Sequence, residues 1–149
     1  MSPFDPPPAS LTVASRLTEL TRVRLFVEAI CRRGGLDTQT TASIVLAVHE
    51  AAANIIRHAH RGQADLPLHI HCAWLPDGFE VRLEDVGQPF DINAIPEIDP
   101  TEVREGGRGV YLMRVLMDEL DTLPRADGGN TLRMVKRCQP RDPQSKPAS

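Results

Sequence analysis

The sequence predicts a two-layer α+β sandwich, a sheet with helices on one face. Three observations carry that reading. Two stretches, Leu17 to Arg33 and Asp37 to about His60, repeat apolar residues at helical spacing. Two later stretches alternate apolar and polar residues around turn signals, as hairpins do. A Gly-, Pro- and Asp-rich run from Val86 to Gly109 lacks a clear period and reads as a long functional loop.

Each element has its own grounds. Leu11 to Ser15 is short and partly β-branched, which suits an edge strand. The first helix places Leu17, Leu20, Val23, Phe26, Val27 and Ile30 at helical spacing and ends at Gly34-Gly35. Asp37 is the expected N-cap of the second, whose Ile44, Val48, Ala51, Ile55 and Val45, Ala52, Ile56, Ala59 make a wide apolar face. It is expected to stop before Gly62. Leu68, Ile70, Cys72 and Trp74, then Phe79, Val81 and Leu83, alternate on either side of Pro76-Asp77-Gly78, giving a hairpin with one apolar face. A third helix is expected from Arg108 to Leu120, carried by Val110, Met113, Leu116, Met117 and Leu120. A last hairpin joins Asp121–Pro124 to Thr131–Arg137 around Asp127-Gly128-Gly129-Asn130. The register of its second strand stays open, because Leu132 and Met134 compete with Val135 for the core face.

Composition narrows the class. A chain of 149 residues suggests one domain, expected over residues 10–139 between Pro-rich tails, 1–9 and 140–149, that read as disordered. The net charge of −3 argues against non-specific nucleic-acid binding and against an anionic membrane surface. No apolar run is long enough to span a bilayer, and the first residues do not read as a signal peptide. Three widely spaced cysteines, Cys31, Cys72 and Cys138, suggest a reduced, cytoplasmic protein without a disulfide framework.

Four features carry possible chemistry. Glu50, Asn54 and His58 fall at i, i+4 and i+8, one helical stripe with Cβ atoms about 5–6 Å apart. Such a stripe is either a solvated face or a carboxylate base one turn from a carboxamide ligand for Mg²⁺. Asp85 continues the apolar face of Phe79, Val81 and Leu83, so it either forms the turn before Gly87 or aims an acceptor into a pocket. Gly106-Gly107-Arg108-Gly109 opens the third helix, where backbone N–H groups can meet phosphate, although the run matches neither a P-loop nor a dinucleotide fingerprint. His58 and His60 on the helix and His69 and His71 on a strand face are either metal ligands, although helix positions i and i+2 diverge, or, for the strand pair, solvent-facing residues.

In order along the chain, these pieces form a resemblance. Glu50-x-x-x-Asn54-x-x-x-His58-Ala59 resembles the N-box of the GHKL (Bergerat-fold) ATPases. Asp85-Val86-Gly87-Gln88-Pro89-Phe90-Asp91 resembles their G1 box, Glu105 to Met113 their G2 box, and Gly129 to Lys136 their G3 region. Phe90-Asp91 and Met117-Asp118-Glu119 are similar to the anti-sigma-factor serine/threonine kinases of the RsbW type.

The resemblance implies a Bergerat ATP-binding fold with a mixed, mainly antiparallel sheet. It implies ATP/ADP binding with Mg²⁺ held by Asn54 and Glu50 as general base on a protein serine or threonine hydroxyl. Asp85 would bond the adenine amine, Gly87 would leave room for the ring, and Thr131 would help fix it. Gly107 and Gly109 would bring backbone N–H groups to the phosphates. His58 would belong to the same nucleotide-binding set, and Arg104 or Arg108 would touch the γ-phosphate. Residues from about Phe90 to Arg108 would form an ATP lid. The partners implied are a sigma factor, sequestered, and a STAS-type anti-anti-sigma protein, phosphorylated, with the chain as a homodimer and no direct contact with nucleic acid or membrane. The alternative is a nucleotide-gated module that sequesters its partner with little or no kinase activity. One base, one metal ligand and an N–H cradle suffice for phosphoryl transfer, which is mostly positioning and charge neutralisation.

Overall fold

The structure is a computed structural model and describes residues 7–59, 64–87 and 108–138. Among these residues the strands are β1 (Ala9–Ala14), β2 (Pro67–Leu75), β3 (Gly78–Asp85), β4 (Glu119–Pro124) and β5 (Asn130–Arg137), and the helices are α1 (Leu20–Arg33), α2 (Thr38–Asn54) and α3 (Arg108–Leu116). The strands lie in the order β1-β2-β3-β5-β4, and every neighbouring pair is antiparallel. The two-layer α+β fold is as expected, and among the described residues the expected mixed, mainly antiparallel sheet is antiparallel at every pairing, because β4 and β5 enter together as a hairpin and β5 docks against β3.

Alternation sorts the two faces. Leu11 and Val13, Leu68, Ile70 and Cys72, Phe79, Val81 and Leu83, and Leu132 and Met134 share the face covered by the helices. Against them sit Val23, Val27 and Ile30 of α1, Ile44, Val48, Ala51 and Ala52 of α2, and Val110 and Met113 of α3. Cys31 and Cys72 lie in this layer, and burial pushes both thiols up to about 12.

The helix boundaries follow local chemistry. Asp37 caps α2, its carboxylate accepting from the Thr40 N–H at 2.6 Å. The α1–α2 corner turns through Gly35, whose φ of 81° suits glycine, with the Gly35 and Leu36 N–H groups returned to the Arg32 and Cys31 carbonyls. At the same corner the Trp74 indole lies so close over Gly34 that no β-carbon fits there, and it meets Phe79 edge-on at 4.9 Å.

Four expectations need correction. The edge strand begins at Ala9, paired with Cys72, so Ala9 belongs to the sheet and not to a tail. Leu17–Glu19 form a 3-10 turn before α1. The second helix gives way to a π-helical turn, Ile55–Ala59, just after Asn54. The third helix ends at Leu116, since the Asp118 N–H bonds the Val135 carbonyl and Leu120 pairs with Met134 in β4. Residues 1–6 of the expected first tail, all of the expected second tail at 140–149, and residues 90–107 of the expected lid lie outside the described residues.

Candidate nucleotide site

The C-terminal half of α2 turns two polar side chains toward α3. Glu50 and Asn54 are one turn apart and half-buried. Gly109, at the start of α3, is buried against both: a methyl at its Cα would stand 3.0 Å from Asn54 Nδ2 and 3.1 Å from Glu50 Oε2. Glycine there lets the backbone of α3's first turn reach a carboxylate and a carboxamide together. The sequence elements around residues 50–54 and 109 thus meet in space.

At the end of β3, Asp85 is fully buried on the helix-covered face, in line with Leu83. Its Oδ1 accepts from the Gly87 N–H at 2.8 Å. Asp85 thus shapes the turn before Gly87 from a position on the inner face. The turn is clamped from the other side by Gly129, which lies so close to the Asp85 carbonyl that no β-carbon fits.

Register decides the partner on β5. Asp85 stands opposite Asn130, and Glu84 stands opposite Thr131. Directly opposed residues point to the same face, so Asn130 shares the inner face with Asp85 while Thr131 points to the open face with Glu84. Thr131, the residue the resemblance assigns to the adenine, therefore lies on the open face, and Asn130, 2% exposed, lies beside Asp85 on the inner one. Asn130 is the next inner position along β5 after Met134 and Leu132.

The remaining expected residues are distributed as follows. His58 lies in the π-helical turn and Arg108 opens α3. Gly107 and Arg104 lie outside the described residues. The carboxamide and carboxylate oxygens of Asn54 and Glu50 are hard donors, the kind Mg²⁺ takes, and both side chains lie close to the glycine at the start of α3.

Comparison with known proteins bears on this arrangement. Residues 13–136 match the family described as histidine kinase-like ATPase domain. The chain is 31% identical over 147 residues to the serine-protein kinase RsbW of Halalkalibacterium halodurans, covering 93% of this chain and 88% of the relative. It is 30% identical over 122 residues to the serine-protein kinase RsbW of Bacillus licheniformis, covering 76% and 75%. Among solved structures, the RsbU and RsbW domains of Rv1364c from Mycobacterium tuberculosis superpose with a TM-score of 0.66 at 19% identity, over 89% of this chain and 32% of that one. The histidine kinase domain of the blue-light activated kinase from Erythrobacter litoralis EL346 gives 0.52 at 23% identity, over 81% and 60%. At those identities the two structures speak to fold alone.

Proposed function

Because the chain belongs to the histidine kinase-like ATPase family and to the RsbW serine-protein kinases, we propose that it sequesters a sigma factor and phosphorylates a STAS-type anti-anti-sigma protein. Family membership makes it an ATP-binding serine-protein kinase; the two partners, the bound Mg²⁺ and the residue roles are the proposal. The observation that carries it is the meeting of Glu50, Asn54 and Gly109.

In this reading Glu50 accepts the proton of the attacking serine or threonine hydroxyl. The hydroxyl oxygen bonds to the γ-phosphorus as the bond from that phosphorus to the β–γ bridging oxygen breaks, leaving ADP. Asn54 holds Mg²⁺ through its carboxamide oxygen, and the bound ion supplies charge neutralisation on the phosphates. The Gly109 backbone and Gly107 present N–H groups to those phosphates. Asp85 accepts from the exocyclic amine of adenine, Gly87 keeps the ring's approach open, and Asn130, opposite Asp85 on the same face of the sheet, adds a polar group beside them. His58 and Arg108 complete the nucleotide-binding set. A dimer of the chain belongs to the same reading and is checked by sedimentation.

The test is single-turnover transfer from labelled ATP, with Mg²⁺, to candidate STAS proteins. Transfer to a serine or threonine of one of them is expected. A chain that binds sigma and ATP but transfers nothing to any of them is instead a nucleotide-gated sequestering module.

A further inference from the structure

The open face of the sheet carries a histidine pair that the nucleotide site does not use. His69 and His71 are two residues apart on β2, so both rings stand on that face, stacked with centroids 6.4 Å apart and planes 28° apart. A hydroxyl of the edge strand engages each ring at the same atom: Thr12 Oγ1 lies 2.8 Å from His69 Nδ1, and Ser10 Oγ lies 2.7 Å from His71 Nδ1. With Nδ1–H donating to the hydroxyl oxygen, each ring keeps a lone pair on Nε2. An outer partner on one ring nitrogen is the arrangement that orients metal-ligating histidines. The His71 Nε2 has a carboxylate beside it, Glu84 Oε2 at 3.5 Å, an oxygen that also lies 3.7 Å from Arg125 Nη1 and that an ion would draw away from it; Glu84 is directly opposite His69 in the β2–β3 register.

We propose that His69 and His71, with Glu84 as an anionic third donor, bind a borderline first-row divalent cation such as Zn²⁺ on the open face of the sheet. Two imidazoles and one carboxylate suit Zn²⁺, and also Ni²⁺ or Cu²⁺, better than Mg²⁺, so the site differs in chemistry from the one at Asn54. Among the described residues no three His, Cys, Asp or Glu side chains already converge to hold an ion. Two nitrogens bound tetrahedrally at about 2.0–2.1 Å must stand about 3.4 Å from each other, so the rings tilt together on their anchored Nδ1 atoms when the ion binds. The His71 side chain is 40% exposed and has room to do so. Waters fill the remaining positions, so affinity is modest and capture is reversible.

The test is titration of the chelator-stripped full chain with ZnCl₂ alone, without nucleotide, followed by calorimetry and, with CoCl₂, by visible absorption. One ion per chain with a micromolar dissociation constant is expected. His69→Ala and His71→Ala should each weaken binding at least tenfold, and Thr12→Val, which frees one ring, should weaken it several-fold, within the about 10–100-fold scale of such outer partners. Circular dichroism should stay unchanged, since the rings lie on the surface. Binding weaker than about 100 μM in the wild-type chain overturns the site, as does equal affinity in the His69→Ala/His71→Ala double variant, which would place the ion elsewhere.

Discussion

The two faces of the sheet put adjacent residues of the same strand to opposite uses. On the covered face, Phe79, Val81, Leu83 and Asp85 are all fully buried, and the one carboxylate among them is tied to a backbone N–H. On the open face, Glu80, Arg82 and Glu84 alternate with them and are held by side-chain charges. Arg133 bonds Glu80 at 2.6 Å, Arg82 bonds it at 2.8 Å, and Glu84 lies near His71 and Arg125. Beside these groups the Arg133 guanidinium is held above its usual range, first by its hydrogen bond to Glu80. A buried carboxylate is costly to leave unmatched: Asp85 is answered by a backbone N–H, and Glu80, also buried, by two guanidiniums, whereas the more exposed pairs are individually weak. The two faces differ in what answers the charge, main chain on the covered side and side chains on the open one.

The largest expected effect lies on the helix side. Glu50→Gln should lower single-turnover phosphotransfer by about 10²–10⁴-fold while leaving ATP affinity near wild type, as loss of a general base does. Transfer at the wild-type rate would remove Glu50 from the chemistry. Next comes stability: Leu83→Ala should cost about 2–5 kcal/mol in urea denaturation, and its neighbour Arg82→Ala about 0–1 kcal/mol. Equal costs would break the contrast between the faces. Asp85→Asn, which exchanges an acceptor oxygen for a donor, should weaken ATP binding by about 2–4 kcal/mol in calorimetry. The smallest effect sharpens the register. Asn130→Ala should weaken ATP binding by about 1 kcal/mol, the scale of one hydrogen bond, and Thr131→Ala should leave it unchanged. The reverse outcome would shift β5 by one residue.

Much of this was legible in the chain itself. The hairpin from Leu68 to Leu83, the Asp37 cap and the Glu50–Asn54 stripe all rest on local periodicity or local hydrogen bonds, which a sequence displays directly. The partner of Asp85 was not legible, because Val135 is as buried as Leu132 and Met134. It is buried on the open face, between Glu80 and Glu119 across the ladder, where Arg133 reaches both acids and Arg137 reaches Glu119. Its ladder neighbours on that face are charged, and no apolar pattern announces burial among such residues. The end of α3 was hidden for a related reason. Leu116, Met117 and Leu120 keep helical spacing, but pairing with β5 captures the chain after Met117. The meeting of Gly109 with Glu50 and Asn54 joins residues more than fifty positions apart, a distance that only the fold closes.

The packing of Trp74 over Gly34 gives the molecule a built-in optical reporter. It is the chain's single tryptophan, wedged between the α1–α2 corner and Phe79, so its emission should change when the helices part from the sheet. It sits opposite Phe79, at the far end of β3 from Asp85, six residues or roughly 20 Å away. Intrinsic fluorescence therefore reads unfolding of the helix–sheet layer while staying nearly silent to events at the Asp85 end, and the two signals can be followed in one cuvette with a nucleotide that carries its own fluorophore.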